Sequence, residues 1–169
     1  MNAFIIILVS LILSAFFSGM EIAFLTVNKL RLELDKKQGL FYSRIIAVFF
    51  NNPGQYISTL LVGNNIALVI YGLFMALVLE PLLVNYTSSE ITILIIQTIA
   101  STILILMVAE FLPKTIFRIK SNLFLKIFAL PALLFFVLFF PITKLITKFS
   151  EVIFLHLFKY QRLFKKCII

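Results

Sequence analysis

The chain has 169 residues, of which 62% are hydrophobic and 13% charged, with 20 Phe and no Trp, far from the roughly 45 to 50% apolar and roughly 25% charged make-up of soluble domains. This excludes a water-soluble globule, a disordered segment and a collagen-like repeat, and the long unbroken apolar blocks exclude an outer-membrane barrel, whose strands alternate. The net charge of +8 reads as loop orientation and not as nucleic-acid binding, while the single cysteine, Cys167, leaves no thiolate metal site and no intrachain disulfide.

Three apolar stretches, 3 to 27, 56 to 79 and 91 to 112, are long enough to cross roughly 30 Å of hydrocarbon as helices. The first lacks a basic start and runs past Ser18 and Gly19 to Val27, so a retained span is expected and not a cleaved signal peptide. Between the first and second lie Lys29, Arg31, Lys36, Lys37 and Arg44 against Glu33 and Asp35. A basic stretch from Lys29 to Lys37, then Gly39, an apolar patch from Ile45 to Phe50 and the turn sequence Asn51-Asn52-Pro53-Gly54 predict a juxtamembrane hairpin. The 80 to 90 connection carries Glu80 and Glu90 and no base. Basic residues mark the cytoplasmic side, so the N-terminus is expected outside and the C-terminus in the cytoplasm.

A fourth apolar block, 123 to 142, contains Lys126, is interrupted by Pro131 and is closed by Pro141. Crossing there would carry Lys144, Lys148, Lys159, Arg162, Lys165 and Lys166 outside, so the block is expected to be re-entrant or interfacial, with its prolines at the bends. The tail from Lys144 to Lys166 mixes Phe, Leu and Ile with bases and predicts an amphipathic helix on anionic lipid. The expected fold is an all-α membrane protein forming one domain over 1–169. It has three transmembrane helices plus re-entrant or juxtamembrane segments (28–55 and 113–169) and interfacial helices. It is multi-pass in the plasma membrane, or the inner membrane of a bacterium.

Each span contains polar groups that are costly in hydrocarbon and therefore point to function. In the first, Ser14, Ser18 and Glu21 share a face at i, i+4 and i+7, beside Gly19 where another backbone can approach. In the second, Asn64 and Asn65 follow Gly63, giving two amide oxygens and a weak point in the helix. In the third, Pro113 cannot donate to the carbonyl of Ala109, which frees an oxygen beside the Glu110 carboxylate. At 1.5 Å per residue, Ser18 and Asn64 sit about 5 Å and Glu110 about 13 Å from the midplane, all toward the cytoplasm. Hydroxyls, amides, carboxylates and a backbone carbonyl form a hard-cation set, suited to Mg2+, Ca2+ or Na+. Structural readings compete: serines bonding back to their own helix, Asn64 bonding a neighbouring helix, Glu21 pairing with Lys29, and a Glu110–Lys114 ion pair with an ordinary proline kink. His156 reads as an interfacial residue. With no phosphate loop, nucleophile elbow or catalytic constellation outside the membrane, an enzyme is not expected.

The runs Leu-Ser14-Ala-Phe-Phe-Ser18-Gly19-Met-Glu21-Ile-Ala23, Leu-Leu-Val-Gly63-Asn64-Asn65 and Glu110-Phe-Leu-Pro113-Lys114 resemble the transmembrane domain of the CorC and cyclin M (CNNM) magnesium transporters over nearly the whole chain. The resemblance implies a homodimer in the lipid bilayer, with three membrane helices per subunit and a cytoplasmic belt of juxtamembrane helices. It implies Mg2+ export coupled to Na+ entry, through a site carried by Ser18 with its neighbour Ser14, by Asn64, and by Glu110 with Pro113. Gly19, Gly63 and Pro113 are the expected hinges, and Glu21, Asn65 and the Ala109 carbonyl the further candidate ligands. The family usually has glycine where this chain has Ala109. Relatives commonly continue into nucleotide-sensing CBS domains, and these 169 residues contain none, so truncation, lack of regulation or a separate cytoplasmic regulatory partner is expected. The rivals are a non-transporting membrane scaffold that keeps the fold, and a monovalent-cation or proton pathway through Glu21 and Glu110.

Overall fold

The computed structural model describes residues 2–87 and 89–149. Its elements are α1 (Asn2–Thr26), α2 (Lys29–Lys37), α3 (Phe41–Asn51), α4 (Pro53–Leu83), α5 (Glu90–Ile105), a π-helical turn (Leu106–Phe111), α6 (Leu112–Ile119), α7 (Ser121–Ile127) and α8 (Ala129–Leu138). Residues 140–149 are helical as well. The fold is all-α, and three of its helices, Ala3–Thr26, Pro53–Leu83 and Glu90–Ile119, are long and apolar enough to span a membrane.

Two spans outrun the lengths expected from composition. Helix α4 begins at Pro53, where a first-turn residue has no intrahelical partner to lose, and continues through Pro81 to Leu83. Its 31 residues rise roughly 46 Å, more than the hydrocarbon thickness, so its ends enter the headgroups or the helix tilts. The third span does not stop at 112, because α5, the π turn and α6 run on as one rod of 30 residues. Hydropathy ends a span where lipid ends; a helix ends where its hydrogen bonds do.

Helix α1 has a larger share of buried residues than the other two spans. It packs against α4, the π turn, α6 and α7. The juxtamembrane hairpin takes its expected form. Asn28 caps α2 by accepting the Arg31 N–H at 3.2 Å, Gly39 turns the chain at φ 73°, and α3 returns toward α4. The left-handed φ favours glycine because other side chains crowd the backbone there.

The fourth apolar block is two short helices, α7 and α8, meeting at 63°. The break falls at Phe128, one turn before Pro131: the proline cannot donate to the Ile127 carbonyl and its ring crowds it, so α7 ends at Ile127. The pair packs on α1, α3 and α4. An ion pair of 2.6 Å between Lys126 Nζ and Asp35 Oδ2 ties α7 to α2, with the ammonium 4.9 Å from the centre of the Tyr42 ring. Asp35 holds the Lys126 ammonium above its ordinary pKa.

Much of the phenylalanine forms the seam between these elements. Phe49 stacks on Tyr56 at 4.2 Å, Phe24 leans on Tyr56 at 4.8 Å, and Phe17 meets Phe135 edge-on at 4.9 Å. Such pairs add about 0.5 to 1.5 kcal/mol beyond the area they bury. The amphipathic tail expected over 144–166 lies largely outside the described residues, as do His156 and Cys167.

Candidate functional site

Polar side chains in a membrane helix have two cheap ways to satisfy their hydrogen bonds, their own backbone one turn back or a neighbouring helix. Four hydroxyls of the spans take the first. Ser10 donates to the Ile6 carbonyl at 2.8 Å, Thr26 to Ile22 at 2.7 Å, Thr59 to Gln55 at 2.9 Å and Thr115 to Phe111 at 2.9 Å. Ser14 and Ser18 take the second. Ser14 Oγ donates to Asn64 Oδ1 at 2.7 Å, and Ser18 Oγ approaches the same oxygen at 3.4 Å.

Both serines are buried, at 0% and 1% exposure, so their hydroxyls have no water to fall back on. Their spacing of four places them on one face of α1, and α4 lays Asn64 against that face. Three oxygens from two helices therefore converge. The cis edges of an Mg2+ octahedron with ligands at about 2.05 Å are roughly 2.9 Å, and the two contacts at Asn64, 2.7 and 3.4 Å, bracket that value. Turning each hydroxyl hydrogen outward would present three lone pairs to a hard cation without moving the helices.

The glycines beside these residues are seats for rings. A Cβ on Gly63 would lie 2.5 to 2.8 Å from the Phe17 ring, and one on Gly19 would lie 2.7 to 2.9 Å from the Phe117 ring. Neither breaks its helix: α1 runs unbroken through Gly19 and α4 through Gly63. Each glycine has a packing role in this structure, since a missing Cβ admits a ring of the adjoining helix at no cost in backbone hydrogen bonds. What comes close to Gly19 is also a phenylalanine side chain and not another backbone. Gly63 thereby lets α1 sit close enough for Ser14 and Ser18 to reach Asn64.

The third-span residues lie differently. Leu106–Phe111 form a π turn, with the Leu112 N–H reaching back to the Met107 carbonyl, so Pro113 is accommodated by widening the helix instead of kinking it. Glu110 lies in this turn. Ala109 beside it is fully buried, and the turn packs on α1. The Glu110 carboxylate, however, pairs with Lys114 Nζ at 3.4 Å on its own helix. Among the described residues no hydrogen bond joins it to Ser14, Ser18 or Asn64.

Two further candidates fall outside the cluster. Asn65 is exposed, turned from Asn64 by one helical step, and does not face α1. Glu21 is half-buried one turn beyond Ser18; its expected partner Lys29 instead lies 5.8 Å over the Phe50 ring. The described residues contain no group of three or more His, Cys, Asp and Glu placed to hold a metal, so a cation here would rest mainly on neutral oxygens.

Sequence reasoning missed the π turn, the two ring seats and the hydrogen bond from Tyr71 Oη to the Ser101 carbonyl at 3.2 Å, which joins α4 to α5. The conjunction of Glu110 and Pro113 was a signal for the first. The others depend on which helix faces which, and one chain's hydropathy does not encode that.

Residues 4–163 match the family model described as "Cyclin M transmembrane N-terminal domain". A UPF0053 protein of Mycoplasma genitalium is 31% identical over 148 residues, covering 83% of this chain and 34% of its own length. Its homologue in Mycoplasma pneumoniae is 32% identical over 148 residues with the same coverage, 83% and 34%. The UPF0053 inner membrane protein YfjD of Escherichia coli is 33% identical over 104 residues, covering 62% of this chain and 23% of its own length. The chain thus spans about a third of the length of the two mycoplasma relatives.

Proposed function

The chain belongs to the cyclin M transmembrane domain family, and from that membership we propose that it carries Mg2+ out of the cytoplasm. The observation that carries this reading is the convergence of Ser14 and Ser18 on Asn64 Oδ1, at 2.7 and 3.4 Å, inside two spans where Ser10, Thr26 and Thr59 bond their own helix. The transported ion is the substrate. Ser18, Asn64 and Ser14 supply neutral oxygens, the Ala109 carbonyl a backbone oxygen, and Glu110 the negative charge that a divalent ion needs in a medium of low dielectric.

For Glu110 to join, Lys114 must let go of it. The pair is 28 to 37% exposed and so worth only about 0.2 to 1 kcal/mol, which a divalent ion easily outbids. Binding therefore exchanges one positive charge for another at Glu110, and Glu21 lies toward the cytoplasmic end of the path, assuming the orientation that the basic 28–55 connection implies. Na+ entry drives the export. The protein works as a homodimer in the plasma membrane, or the inner membrane of a bacterium as with YfjD, under a cytoplasmic regulatory partner or domain.

A second reading has one observation in its favour. Asn64 and Glu110 already have partners, as they would in a membrane scaffold whose polar groups only hold helices together. Proteoliposomes decide between the two. Outward Mg2+ flux that depends on an opposing Na+ gradient and is lost in Asn64→Ala and Glu110→Ala supports transport. Flux equal to that of empty liposomes in the wild type, or unchanged flux in both variants, refutes it.

A further inference from the structure

Where α1 and α6 end on the same side of the membrane, their continuations border an open cavity of about 270 Å3. The two ends are fastened there by Ser121 Oγ donating to the Thr26 carbonyl at 3.4 Å. Three bases line the cavity, Arg31 from α2, Lys120 between α6 and α7, and Lys126 from α7. Lys126 is held by Asp35, but Arg31 and Lys120 make no ion pair among the described residues. Asn122 lines the same cavity. Beside these polar groups stands a bare apolar edge: Ile119 is 75% exposed, Leu123 47% and Ile127 57%, the last two four apart on α7.

Cations at the end of a span, directly against exposed aliphatic side chains, match the two halves of one molecule. We propose that this cavity binds the headgroup of an anionic phospholipid. The phosphate lies between Arg31 and Lys120, and the acyl chains run along Ile119, Leu123 and Ile127. A soluble phosphate would satisfy the bases but leave the apolar edge bare, and a zwitterionic lipid would cover the edge but bring its own cation to Arg31 and Lys120. Lys126, held by Asp35, lines the cavity together with Arg31, so an occupied cavity would brace α2 against α7 beneath the spans. This site does not depend on what the spans transport.

The test is a titration of the purified chain, in neutral detergent, with dioleoylphosphatidylglycerol, dioleoylphosphatidylcholine or glycerol 3-phosphate, read by melting temperature and by native mass spectrometry. Phosphatidylglycerol is expected to bind and stabilise saturably and the other two are not. Each basic side chain near a lipid phosphate is worth about fivefold in binding, so Arg31→Ala with Lys120→Ala should weaken the midpoint about 25-fold. A control pair with the same charge change away from the cavity, Lys36→Ala with Arg44→Ala, should move it less than about threefold. Should the alanine pair not fold, Arg31→Lys with Lys120→Arg must keep phosphatidylglycerol binding while Arg31→Gln with Lys120→Gln weakens it. Equal loss in the two alanine pairs means bulk charge attraction. Equal midpoints for phosphatidylglycerol and glycerol 3-phosphate mean a soluble ligand, and equal midpoints for the two lipids mean a purely apolar groove. Any of these overturns the proposal.

Discussion

At the contact of α1 with α4, two buried serines reach across to one asparagine, whereas one helix away the Glu110 carboxylate turns back to Lys114 on its own helix. The first arrangement is long-range and exists only because the chain folds; the second would form in an isolated helix. A buried neutral cluster is set by packing and changes little when the ion arrives. A half-exposed carboxylate with a local partner is loosely held and easily re-aimed. On the proposed reading, the fixed neutral oxygens would define the position of an ion and the mobile charge would set when it binds.

The comparison breaks most visibly at Asn64. Replacing it with Ala should bring Mg2+ flux in proteoliposomes down to that of empty liposomes, while size-exclusion chromatography reports an intact oligomer. Next comes Gly63→Ala, which drives a Cβ into the Phe17 ring; overpacking of this kind costs about 1 to 3 kcal/mol, read as a lower melting temperature in detergent, with flux reduced because α1 is pushed off Asn64. The serines sharpen the contrast. Ser14→Ala removes a bond between helices, worth about 0.6 kcal/mol on average and at most about 1.7, whereas Ser10→Ala removes only a bond to its own turn and should stay within about 0.5 kcal/mol of wild type with full flux. Lys114→Gln acts on binding and not on packing: it frees Glu110 from a pair worth about 0.2 to 1 kcal/mol, and should tighten the apparent Mg2+ midpoint by no more than about fivefold.

The spans, the juxtamembrane hairpin and the break in the fourth block were legible because apolar run length, basic residues, Gly39 and Pro131 act locally. Their limits were not: hydropathy ends the third span at 112, yet a π turn carries the helix on to Ile119. Within the site, the shared face of Ser14 and Ser18 follows from helical periodicity alone, and Asn64 at comparable depth made a sound partner. Gly19 and Gly63 read as weak points, but a missing side chain tells only that something comes close, and here it is Phe117 and Phe17. Asn65 differs from Asn64 by one helical step, and which of two adjacent amides faces inward depends on how α4 is rotated against α1. That rotation is fixed by the ring contacts around Phe17, Phe49 and Tyr56.

The measurement closest to the centre of this reading is thermal unfolding of the purified chain against Mg2+ concentration, for the wild type and Asn64→Ala side by side. A built site stabilises by mass action, about 2.7 kcal/mol at a hundredfold excess over the dissociation constant. The wild type should therefore show a saturable rise in melting temperature, and Asn64→Ala a flat line. The same rise in both proteins would contradict a cation site at the junction of α1 and α4.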